Sequence, residues 1–118
     1  MRTAACALIV LNLCACTQMN SEEQQDRGQE AYIRYCAACH ETDDGTGPIL
    51  RPAILASRGT AGRLYNYNRM QMPYNAGGTL TANQYRDITA FLLRRTDLLP
   101  ENEILDFKSM DRLELSPP

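Results

Sequence analysis

Cys36-Ala37-Ala38-Cys39-His40 decides how this chain is read. The stretch has the form Cys-x-x-Cys-His, the attachment pattern for covalent c-type haem. Two thiols at this spacing can add across the haem vinyl groups as thioethers. The histidine beside the second thioether is then placed to ligate iron from one face. His40 is the only histidine in the chain, so no other imidazole competes for that role. Two other uses of these residues have to be weighed. A redox dithiol also needs Cys-x-x-Cys, but it expects strands alternating with helices around it, and the sequence has no strand pattern. Structural zinc needs four Cys or His ligands, usually as two separated pairs. The other cysteines, Cys6, Cys14 and Cys16, lie in an N-terminal segment of different character.

That segment reads as a signal for export. Arg2 is the only charged residue before Glu22, and Ala4 to Leu13 is mostly small or apolar. A positive start and a short apolar run form a secretory signal peptide, too short for a transmembrane helix. Residues 1–15 are assigned to it. Leu13-Cys14-Ala15-Cys16 resembles a bacterial lipobox, with Leu at minus three, a small residue at minus one and Cys16 as the acylated residue. Cys14 fits worse, because bulky Leu13 would sit beside the cut. Ordinary cleavage near Ala15 or Cys16 would instead leave a soluble exported protein. Covalent haem is assembled outside the cytoplasm, so the two inferences agree. Removal of residues 1–15 leaves Cys16 for lipid and Cys36 and Cys39 for haem, with no thiol for a disulfide.

Roughly 100 residues remain, one small domain. With no Trp and only two Phe, such a chain buries little surface unaided, and a large flat apolar cofactor would complete its core. Loss of Arg2 takes the formal charge from −2 to −3, and haem propionates add to it. Nucleic acid attracts basic patches and is excluded as a partner. A protein with a complementary positive surface is favoured. Contact with the membrane is expected through the lipid anchor only.

The chain after the signal divides into helices and loops. Residues 16–20 form a lipid-anchored tether, residues 21–96 the domain, and residues 97–118 an extension lying on the domain or loose. Ser21-Glu22-Glu23-Gln24 has the capping-box form, predicting a helix from Ser21 to about Tyr35. Gly28, Tyr32 and Cys36 fall four apart and share a face. Gly28 costs roughly 1 kcal/mol against Ala inside a helix, which close approach of another helix would justify. Thr42 to Gly59 is rich in Gly, Pro and small polar residues and reads as loop. Ala61 to Asn68 reads as a short helix with Leu64 and Tyr65 inward, and Met70 to Gly78 as loop. Thr81-Ala82-Asn83-Gln84 is a second capping box, before a helix whose Tyr85, Ile88, Phe91 and Leu92 recur three or four apart.

An electron carrier needs a second axial ligand, and methionine there raises the reduction potential. Met72, before Pro73 and well separated from His40, is the candidate. Met70 is its rival, and Lys108, water or an open position are the remaining alternatives.

Gly28-x3-Tyr32-x3-Cys36-x2-Cys39-His40, then Thr46-Gly47-Pro48-Ile49-Leu50, Met72-Pro73 and the Tyr85 to Leu93 helix resemble a class I cytochrome c over residues 21–96. The resemblance implies an all-α fold, three to four helices around one covalent haem c. It implies that the first and last helices cross where Gly28 meets Phe91 or Tyr85, that the Pro48 carbonyl accepts from His40 Nδ1–H, and that Arg51 and Tyr67 are candidates for the propionates. It also implies one-electron transfer rather than catalysis. The alternatives are a haem sensor in which Met72 leaves for a gas molecule, and a peroxidase-like haem, which lacks a second His or distal base here. A narrower similarity, in Leu64 to Arg69, Met72 to Ala76 and the tail from Leu99 to Asp106, is to cytochrome subunits of sulfite dehydrogenases, with related domains in thiosulfate-oxidising complexes. Gly77-Gly78 and Met70-Gln71 depart from that pattern. This similarity implies a periplasmic dehydrogenase as donor, a molybdenum sulfite dehydrogenase among the candidates, and a terminal oxidase or another cytochrome as acceptor.

Overall fold

The computed structural model describes residues 19–117. The expected signal peptide, the expected lipid site at Cys16 and most of the expected tether lie outside the described residues. Five helices follow in order: α1 (Ser21–Tyr35), α2 (Ala37–His40), α3 (Pro52–Ala56), α4 (Ala61–Gln71) and α5 (Ala82–Arg95), then a short 3₁₀ turn at Met110–Arg112. The described residues contain no strand, only an isolated bridge between Thr60 and Glu114. The fold is all-α.

The first helix starts one residue earlier than the expected box. Asn20, in extended conformation, is the N-cap, and its Oδ1 accepts from Glu23 N–H at 2.7 Å. Asn caps as well as Ser, and this register frees Gln24 to turn inward. Gln24 is fully buried rather than folded back on the helix end. Its side-chain amide donates to the Leu105 carbonyl at 2.8 Å and its oxygen accepts from Leu105 N–H at 2.9 Å. The start of α5 follows the sequence closely. Thr81 and Gln84 form a complete capping box.

Helices α1 and α5 cross at Gly28. A Cβ on Gly28 would collide with the Asp87 carbonyl and lie 2.8 Å from Phe91 Cβ. The aromatic partner of the glycine is therefore Phe91, not Tyr85. One turn on, the Tyr32 and Phe91 rings pack with centroids 5.2 Å apart.

Two segments read as loop contain helix. Arg51 is extended and Pro52 occupies the first turn of α3, as proline's fixed φ and its effect on the preceding residue favour. Ala53 to Ala56 then completes a turn inside the Thr42–Gly59 segment. Helix α4 runs through Met70 and Gln71 instead of ending at Asn68. Arg, Met and Gln are good helix formers, and the stop comes only from Pro73, which disfavours helical geometry at Met72. Met72 has φ −123° and ψ 149°.

The C-terminal extension lies on the domain. Leu98, Leu99, Leu105, Met110 and Leu115 are buried, each contributing about 1.5–3 kcal/mol on full burial. Ala61 N–H donates to Leu113 O at 2.9 Å and Leu115 N–H to Gly59 O at 2.8 Å, which ties the tail to the start of α4. No helix of the described residues is long and apolar enough to cross a membrane.

Candidate haem-binding site

The cysteines are set by the end of α1. Cys36 N–H donates to Tyr32 O at 2.8 Å and His40 N–H to Cys36 O at 3.1 Å, so the Cys-x-x-Cys-His stretch forms its own turn, α2. Cys36 and Cys39 are half-buried and not joined to each other. Burial, with a smaller contribution from Cys39, pushes the Cys36 thiol up to about 11. Redox dithiols depend on the opposite shift, toward a stable thiolate. Structural zinc would need a fourth Cys or His beside Cys36, Cys39 and His40, and among the described residues no group of three or more His, Cys, Asp or Glu is arranged to hold a metal ion.

His40 is buried and oriented by its neighbours. Its Nδ1 lies 2.6 Å from the Pro48 carbonyl oxygen. A carbonyl only accepts, so Nδ1 carries the proton and Nε2 keeps its lone pair for a metal. Gly47 closes the other side: a Cβ there would come within 2.5 Å of His40 Cε1. Gly47 N–H also donates to Cys39 O at 3.0 Å. Gly47 and Pro48 thus enclose the imidazole.

These residues open onto a cavity of about 610 Å³, within the 300–1,000 Å³ range of cofactor sites. Cys36, Cys39, His40, Pro48 and Met72 all line it. Its remaining wall is largely apolar, with Leu55, Leu64, Ile88 and Leu92 among the contributors. An apolar cavity with two thiols and one imidazole on its lining fits a covalently attached haem. Met70 is 65% exposed on the last turn of α4 and does not line the cavity, and neither does Lys108.

Of the two propionate candidates, Tyr67 lines the cavity and Arg51 does not. Arg58, missed in the sequence, does so instead, its guanidinium carbon 3.5 Å from the Tyr67 ring centroid. Three aligned groups fix the approach of α2 to the core. Tyr32 donates to Glu41 Oε1 at 2.5 Å, and Arg95 donates to the same oxygen at 2.6 Å. The Arg95 hydrogen bond, then that of Tyr32, holds Glu41 below the usual carboxylate range, while burial raises the Tyr32 phenol. Nothing local in the sequence pairs Glu41 with Arg95; only the α1–α5 crossing brings them together.

Residues 23–92 match a family profile described as cytochrome c oxidase, cbb3-type, subunit III. No curated protein and no solved structure matches.

Proposed function

The chain belongs to that family of c-type cytochrome domains and carries covalent haem c, and from this premise we propose that it shuttles single electrons between proteins, with Cys36 and Cys39 as thioether attachment points and His40 and Met72 as axial ligands. When bound, haem c supplies a one-electron ferrous–ferric couple. The chain's own residues hold geometry and environment. Pro48 keeps His40 Nδ1 protonated and so strengthens Nε2 as a donor. Met72, lining the same cavity, offers a thioether that favours the reduced state. The apolar wall excludes water. The single observation that carries this reading is the convergence of both thiols, His40 and Met72 on one apolar cavity.

We further propose export and acylation at Cys16, giving a periplasmic, membrane-anchored cytochrome. The motif at Leu13 to Cys16 supports this, and Thr17 in place of Asp fits outer-membrane sorting. A dehydrogenase is proposed as donor, with a molybdenum sulfite dehydrogenase as the lead from the Leu64–Ala76 and Leu99–Asp106 stretches. A terminal oxidase or another cytochrome is proposed as acceptor.

The functional test is ligand access. A carrier whose sixth position is filled by Met72 is low-spin in both oxidation states and binds carbon monoxide poorly. A high-spin resting spectrum with rapid carbon monoxide binding would replace electron transfer by the sensor reading.

A further inference from the structure

Tyr85, in the first turns of α5, is fully buried, yet its hydroxyl serves a loop rather than the core. The hydroxyl donates to the Met72 carbonyl at 2.7 Å. It accepts from Gly78 N–H at 3.0 Å and Leu80 N–H at 3.4 Å. A phenol has one proton and two lone pairs, so all of its capacity is spent on backbone groups between positions 72 and 80. That segment has no helix or strand of its own. Its internal bonds are local, Ala76 N–H to Pro73 O at 2.8 Å and the Thr79 hydroxyl to Ala76 O at 2.7 Å. Met72 N–H is held on α4 by Asn68 O at 2.9 Å. Tyr85 therefore joins both ends of the loop to α5, and it grips the residue whose side chain lines the cavity.

The base of Tyr85 is equally fixed. Its N–H donates to Thr81 O at 3.0 Å beneath the Thr81–Gln84 capping box. Its ring also lines the cavity. A hydroxyl on a rigid helix start is a better fixed point than another loop group would be.

We propose that Tyr85 is the positioning residue for Met72, latching the 72–80 loop so that the thioether stays at the iron and does not exchange. This rests on Met72 being the second axial ligand. The ring supplies packing that Phe would keep; the latch is the hydroxyl alone. Without it the partly buried Met72 carbonyl and the Gly78 and Leu80 N–H groups lose their shared partner, and the loop-open population should rise roughly tenfold.

The test compares the intact holo-cytochrome with Tyr85→Phe and Met72→Ala. The ferric sulfur-to-iron charge-transfer band is expected in the wild type and Tyr85→Phe and absent from Met72→Ala. The rate of carbon monoxide binding to ferrous Tyr85→Phe, which requires Met72 to leave, is expected to rise roughly tenfold. On denaturant titration its band should vanish well before its helical signal, with a wider gap than in the wild type. An unchanged carbon monoxide rate overturns the proposal. So does a band that falls together with the helices, which would make Tyr85 a residue of general stability. A wild type without the band overturns the axial assignment and the latch with it, an outcome distinct from the other two. Should Tyr85→Phe fail to fold, hydrogen exchange on the wild type decides. The Gly78 amide should be protected, with an opening constant equal to that for loss of the band; an unprotected amide overturns the proposal.

Discussion

His40 is held by two backbone groups that differ in how far the sequence reveals them. Pro48 follows from the order Cys-His then Gly-Pro, and the hydrogen bond implied by the class I resemblance is present at 2.6 Å. Gly47 stands in the same motif before Pro48, but its contact with the imidazole ring is visible only in three dimensions. Single side chains that bond within their own neighbourhood are more easily tested. Asp106 accepts from Lys108 N–H at 2.7 Å and Ser109 N–H at 3.0 Å, opening the turn that carries buried Met110. The Lys108 amide, first, and the Ser109 bonds hold its carboxyl below the ordinary 3.8. A depressed folded pKa contributes stability that is present above the unfolded value and lost as pH falls through the folded one. Asp106→Ala should cost about 0.5 kcal/mol at neutral pH, the low end for a lost cap because the carboxylate is exposed and screened, and progressively less below about pH 4. Denaturant midpoints for the pair across pH check this. A difference that does not shrink in acid would show that the charge is irrelevant.

At the scale of elements, the α1–α5 crossing sets the site, because Cys36 follows directly on α1, one turn beyond the Tyr32–Phe91 contact with α5. Gly28 gives a test of sign. On an exposed helix Gly→Ala stabilises by about 1 kcal/mol; at this crossing the new Cβ meets the Asp87 carbonyl, and overpacking costs about 1–3 kcal/mol. Gly28→Ala should therefore lower the unfolding midpoint, and a raised midpoint would refute the close crossing. The sequence made this helix pair legible through its periodicity and the Thr81–Gln84 box. It was misleading where two signals were nearly equal. Asn20 and Ser21 are both good caps, and the choice depended on burying Gln24 against Leu105, 81 positions away. Met70 and Gln71 read as loop because Pro73 is close, yet the proline forbids helix only at the residue before it. The Gln24, Asp87 and Arg94 cluster has no signature in the sequence. Gln24 Nε2 reaches Asp87 at 3.3 Å and Arg94 donates to Gln24 Oε1 at 2.8 Å, polar contacts that no helical period announces.

Across the whole molecule, the extension after α5 is part of the domain, since its leucines are buried and its backbone closes on Gly59 and Ala61. The profile match ends at residue 92, so this clamp is a feature of the chain outside the matched region. At the other end, the proposed acylation of Cys16 would set where the molecule works. One acyl chain holds a protein on a membrane only marginally, whereas several anchor it stably. Cys16→Ser should move the cytochrome from the membrane fraction to the soluble one, and equal membrane retention would sink the lipoprotein proposal. In the proposed function, Cys36 and Cys39 together carry the haem. Intact mass after acid–organic extraction tests it most directly. The purified protein should keep its colour and weigh one haem more than the processed chain, and Cys36→Ala with Cys39→Ala should lose both properties. Haem that extracts from the wild type, or resists extraction in the double variant, would rule out thioether attachment at these two cysteines.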